Sequence, residues 1–139
     1  MNTQRTLLVG ACGLLLAALP LAAHHSFAAE YDASKPVMLK GKVTQVEWIN
    51  PHSWVHIDVT GEDGKVVNWS CETAPPNTLY RQGWRRNSLK EGDEVIVEGF
   101  AAKDASHTLT TRTVQTPDGR RLLAGSASDG IPQGQKSEK

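Results

Sequence analysis

Two imidazoles stand side by side at His24-His25, directly after an apolar run ending in Ala22-Ala23. If the chain is cut after Ala23, His24 becomes the mature N-terminus. Its α-amine and ring nitrogen can then chelate one metal ion together. A further imidazole would complete a T-shaped or square site, which suits Cu(II). If Ala23 is retained as the first residue, His25 stands third. Amine, two backbone amides and imidazole then lie in one plane, which again favours Cu(II) or Ni(II). The α-amine releases its proton at about 7.7–8.0, far more readily than a lysine, so it is a competent ligand near neutrality. The structural alternative is that both histidines are polar linker.

Further along, His52 and His56 fall on one phase of a strand pattern with Trp54 between them. Four residues of strand separate the histidines by roughly 13 Å, at about 3.3 Å per residue. That is too far for both to bind one ion on a straight strand. His52, beside the Asn50-Pro51 turn, is the accessible one. The candidate metal ligands are therefore His24, His25 and His52, and copper is the cofactor they point to. Trp54, with Trp48 and Trp69, offers an aromatic platform of the kind small barrels use for ligands. Trp48, Trp54 and His56 are accordingly the candidate ligand-binding residues. Each has a structural reading beside it: tryptophan as core or loop cover, and His52 as a turn residue donating to a carbonyl. Cys71 shares the apolar phase of its strand and reads as a small buried hydrophobe. Glu72, on the polar phase, is either a ligand or an ion-pair partner for Arg81, Arg85 or Arg86. No nucleophile–base–orienter set, phosphate loop or His-Glu-x-x-His motif is present, so the chain is read as a non-enzyme.

The elements that must position these residues begin with an address. Met1 to Thr6 is polar with Arg5 as its charge, Leu7 to Leu19 is apolar, and Pro20-Leu21-Ala22-Ala23 is a small-residue exit. These are the three parts of a signal peptide, and the apolar run is shorter than the ~20 residues of a spanning helix. We expect a signal peptide over residues 1–23 and a periplasmic or secreted product. Cleavage after Ala22 or after Ala28 is an alternative, the latter removing both histidines. Lipidation at Cys12 is another. Removal of residues 1–23 leaves 139 less 23, or 116 residues, one small domain. The 15 basic residues lose only Arg5 and stand at 14 against 15 acidic. That balance favours neither nucleic acid nor an anionic membrane. The expected partner is a small molecule, a glycan or a protein. With Cys12 in the leader, Cys71 has no intrachain disulfide partner.

Residues 24–37 read as an irregular lead-in that Phe27 and Tyr31 could pin to the body. Strands are expected over 38–49, 52–60, 66–72, 94–100 and 108–115, with a short apolar strand at Leu122-Leu123. The first is long. Its apolar phase slips near Thr44-Gln45, as a β-bulge would cause, and Gly41 permits a sharp bend. Pro75-Pro76 opens a helix near 76–82, with Gly83 as its stop. Val55, Ile57, Val59, Val67, Trp69, Val95 and Val97 are expected inward. From Gly125 the chain lacks periodicity and reads as a disordered tail, residues 125–139. Three strands, a helix and two strands is the order of the oligonucleotide/oligosaccharide-binding (OB) barrel. The fold class is thus all-β: a small five-stranded OB-like barrel over residues 38–124, with one short helix between strands three and four.

The strings Ala23-His24-His25-Ser26-Phe27, Val46-Glu47-Trp48-Ile49-Asn50-Pro51-His52, Gly83-Trp84 and Leu89-Lys90-Glu91-Gly92-Asp93-Glu94-Val95 resemble a family of small exported bacterial proteins of unknown function. The resemblance runs over about residues 23–125. It implies no activity and transfers no catalytic residue. A cysteine within Trp69-Ser70-Cys71-Glu72 departs from what it leads one to expect, which argues against an essential thiol.

Overall fold

The computed structural model describes residues 27–125. The expected leader, His24, His25 and residues 126–139 of the expected tail lie outside the described residues. The elements are α1 (Phe27–Glu30), β1 (Tyr31–Glu47), β2 (Ser53–Thr60), β3 (Val66–Thr73), α2 (Pro76–Arg81), β4 (Glu94–Ala102), β5 (Thr108–Gln115) and β6 (Arg121–Leu123).

Alternation in β2 sends Val55 and Ile57 into the core and turns His56 to the other face. The β2–β3 hairpin follows from Glu62-Asp63-Gly64, where the Asp63 carboxylate accepts from the Lys65 amide and the Gly61 amide donates to the Lys65 carbonyl. β1 pairs antiparallel with both β2 and β4, and β4 pairs with β5. A parallel pairing of Ser70–Glu72 in β3 with Thr108–Thr110 in β5 then closes the sheet. The five strands form a ring in the order β1-β2-β3-β5-β4, the OB-like arrangement expected. β6 extends it along the edge of β5.

β1 serves both halves of the ring: residues 42–47 pair with β2 and residues 31–42 with β4. The register shift between Val43 and Gln45 is the expected bulge, and it moves the inward phase from Val43 to Val46. Gly41 sits at the changeover, where a Cβ would lie 2.7 Å from the Asp58 carbonyl oxygen. Close approach of backbones, not flexibility, requires glycine there.

Residues 24–37 are not wholly irregular. Phe27–Glu30 forms a single helical turn and Tyr31 already pairs with Ala102. Asp32 accepts from the Ser34 amide and hydroxyl, and the ladder breaks between Tyr31 and Pro36 before resuming.

Val43, Val55, Ile57, Cys71, Val95, Val97, Leu109 and Val114 form the core, joined by Leu79 of α2 and by Trp84. Val59, Val67 and Trp69, expected inward, are only half-buried because they approach the hairpin end of β2–β3. Pro76 opens α2 as expected. At its end the Trp84 amide returns to the Leu79 carbonyl past Gly83, whose φ is +95°. The Trp84 indole donates to the Leu123 carbonyl at 2.6 Å and pins β6. Gly125, where the tail was expected to begin, is buried, and its carbonyl accepts from the Gln82 amide group.

Candidate functional site

The β2–β3 register sets Trp54 opposite Glu72 and His56 opposite Ser70. His52 precedes β2 by one residue and stands on the same outer face. Glu72 is therefore reached from its own sheet by His52, whose Nδ1 lies 2.9 Å from Oε1. From the other side Tyr31, the first residue of β1, donates its phenol to Oε2. Each carboxylate oxygen thus has its own donor. The Glu72 side chain is 13% exposed and that of His52 33%. A carboxylate only accepts, so Nδ1 carries a proton, and in the neutral ring it is Nε2 that has the lone pair. No described residue hydrogen-bonds to that Nε2. Tyr31 is 7% exposed, and burial, then the hydrogen bond and charge of Glu72, push its phenol well above the ordinary tyrosine range. It remains a neutral donor at any physiological pH.

These groups open on a cleft of about 520 Å³ walled by Tyr31, Trp54, Glu72, Ala102, Asp104 and Thr108. The start of the described chain forms its near side. Phe27 lies 6.1 Å from the Tyr31 ring and meets Phe100 edge-on at 5.5 Å, centroid to centroid. The Lys103 amide donates to the Glu30 carbonyl and its ammonium group to the Ala28 carbonyl, tying α1 to the loop after β4. Asp104 is exposed, and hydrogen bonds from Ser106 hold its carboxyl below the usual carboxylate range.

The sequence-expected residues divide among three places. Trp54 lines the cleft and stacks on His56 at 6.4 Å. His56 is engaged at both ring nitrogens, by Glu47 at 2.8 Å and Ser70 at 3.2 Å, so it braces the sheet and has no nitrogen left for a ligand. Trp48 lies elsewhere: it stacks on Tyr80 at 5.3 Å, meets Trp84 edge-on and carries Arg86 over its ring. Trp69 packs against His107. The three-tryptophan platform is not assembled, because the bulge in β1 turns Trp48 toward α2 and the core. Burial pushes the Cys71 thiol up to about 12, fitting the expected hydrophobe. Glu72 does not meet the arginines: Arg81 bonds Thr78, Arg85 bonds two carbonyls and Arg86 covers Trp48.

Among the described residues no three His, Cys, Asp or Glu groups converge as a metal set. His52 is the expected metal ligand that lies within them, while His24 and His25 lie outside. Tyr31 is the site residue that sequence reasoning missed in its role. Its link to Glu72 spans 41 residues, and only its expected pinning of the lead-in hinted at it. A family model described as a family of unknown function, DUF6152, matches residues 12–111. No curated protein matches the chain.

Proposed function

The chain belongs to the DUF6152 family, and on that premise we propose that it is an exported, non-catalytic binding module whose ligand sits in the cleft between Tyr31, Trp54 and Glu72. The supporting observation is the convergence there of an indole, a phenol, a carboxylate and an imidazole whose Nε2 has no partner among the described residues, beside about 520 Å³ of open space. Ligand sites of this kind combine apolar walls with a few fixed polar groups. A panel of soluble glycans and small amines, followed by tryptophan fluorescence on the processed protein, tests the location. Binding lost in both Trp54→Phe and Glu72→Gln supports the cleft. Binding unchanged in both variants places the ligand elsewhere and refutes it.

A second reading is favoured by the position of Phe27. The residues preceding it are His24-His25-Ser26, and three extended residues reach about 10 Å. Phe27 itself packs on Tyr31, which bonds Glu72, which holds His52. Phe27, three residues after His24 in sequence, thus packs beside the wall of the cleft, and this supports the reading. In this reading the ligand is Cu(II), bound by the His24 amine and ring, with His25 as ligand or flank and His52 closing from the barrel. Calorimetry with Cu(II) on protein beginning at His24, beside a form retaining Met before His24, decides it. The processed form binds far more tightly. Equal affinity would defeat the amine chelate.

A further inference from the structure

We propose that the ligand of the Tyr31–Trp54–Glu72 cleft is an organic cation whose charge sits on an alkylated ammonium group. The inference rests on the first reading of the cleft and names the chemical class it selects. Charge sets the sign of the ligand. Three carboxylates line the cleft, those of Glu30, Glu72 and Asp104, against one ammonium, that of Lys103. The Lys103 ammonium is turned to the Ala28 carbonyl at 2.6 Å. Asp104 is exposed and is held ionised by hydrogen bonds from Ser106 rather than by a cation. Burial first, then the hydrogen bond and charge of Glu72 and the charges of Glu30 and Asp104, keep the proton on the Tyr31 phenol. All three carboxylates thus act on one point of the wall. A cleft lined by one sign of charge concentrates ions of the other. The indole sets the kind of cation. Trp54 is half-buried in the wall and lies 15° from parallel with the His56 ring, which Glu47 and Ser70 hold in place. An indole face attracts a cation within about 6 Å of its centre, more strongly than the other aromatic rings do. A primary ammonium also needs acceptors for its three protons. Here both Glu72 oxygens already accept, from Tyr31 and His52, and Asp104 accepts from Ser106. An alkylated ammonium needs only the charge and the ring face, and the cleft of about 520 Å³ has room for a small one.

The test is calorimetry and tryptophan fluorescence on the full processed protein. The probes are choline and neohexyl alcohol, its uncharged carbon isostere. Choline is expected to bind about tenfold or more tightly than the alcohol, and added salt to weaken choline alone. Asp104→Asn keeps an acceptor for Ser106 and removes the charge. It is expected to lose choline affinity about two- to fivefold and to leave the alcohol unchanged. Glu72→Gln is expected to lose more, and Asp104→Asn, at an exposed position, serves should Glu72→Gln fold poorly. Phosphatidylcholine vesicles run beside free choline tell a lipid headgroup from a soluble ligand, and vesicle binding that choline competes away supports the same chemistry. Equal affinity for choline and its isostere overturns the inference. A neutral glycan bound in the cleft, with no choline binding at about 10 mM, overturns it too and leaves the cleft as the ligand site. Choline binding that survives both Trp54→Phe and Glu72→Gln lies outside the cleft and defeats both the inference and the reading it rests on.

Discussion

Gly99 and Gly41 mark two close strand approaches in the ring, and alanine at each tests the closure that walls the cleft. A Cβ on Gly41 would lie 2.7 Å from the Asp58 carbonyl oxygen and 3.1 Å from a Val59 methyl. One on Gly99 would lie 2.0 Å from the Thr110 carbonyl oxygen and 2.9 Å from a Leu109 methyl. At Gly41 the obstacle is also backbone, the Asp58 carbonyl, but the overlap is smaller than at Gly99, and overpacking of that kind costs about 1–3 kcal/mol. Restricting the unfolded chain returns about 0.4–1 kcal/mol. The net expectation for Gly41→Ala is a destabilisation of about 0–2.6 kcal/mol. At Gly99 the obstacle is backbone of the paired strand, and relief requires the β4–β5 ladder to open around its existing register shift. Each ladder bond lost adds about 0.5–1.5 kcal/mol. Gly99→Ala is therefore expected to exceed about 4 kcal/mol, the scale of the whole stability of a small domain. Urea unfolding of the processed domain, read as midpoint shifts at constant slope, measures both. A Gly99→Ala protein with the wild-type midpoint would refute the crossing and with it the register that sets Ala102 and Thr108 on the cleft.

The buried Cys71 thiol yields a pH dependence. Its ordinary value of 9.0 is raised to about 12 by burial, so the unfolded chain loses that proton first. The stability it contributes is whole below pH 9 and falls at about 1.4 kcal/mol per pH unit as pH rises from 9 toward 12. Cys71→Ala removes that limb, so the loss in unfolding free energy between about pH 8 and about pH 10, read by urea unfolding, shrinks by about 1.4 kcal/mol. Trp84→Phe keeps an aromatic ring but orphans the Leu123 carbonyl. It should cost about 1–3 kcal/mol in the same urea assay. His52→Ala should lose Cu(II) affinity by about tenfold or more while His56→Ala stays near wild type, as read by calorimetry.

Local patterns carried most of the fold. Alternation in β2 and β3 defines their inward faces, the slipped phase at Thr44-Gln45 is the bulge, and Pro76 with Gly83 bounds α2. What escaped was non-local. The lead-in joins the sheet because Tyr31 meets Ala102, a pairing across 71 residues that no window of sequence contains. The site was legible in part for the same reason. His52 and Trp54 fall on one face by strand period alone, and Glu72 was visible on the polar phase of β3. Its partners were not, since the arginines nearby in sequence are drawn to α2 and to Trp48 while the phenol arrives from the far end of β1. Trp48 was grouped with Trp54 although the phase shifted by the bulge sets it with Val46, and both pack against the core.

The central proposal is that the ligand is held at the Tyr31–Trp54–Glu72 cleft, and in the second reading that ligand is Cu(II). Cu(II) is paramagnetic and broadens nuclear signals near it, and the chain's four tryptophans report from different places. Proton–nitrogen correlation spectra of the processed protein, with small additions of Cu(II), measure this directly. The account predicts early loss of the Trp54 indole and of backbone signals from Tyr31, His52 and Glu72, with the Trp84 indole, buried against β6, remaining sharp. Uniform broadening, or early loss centred on Trp48 or Trp69 with Trp54 unaffected, would contradict it.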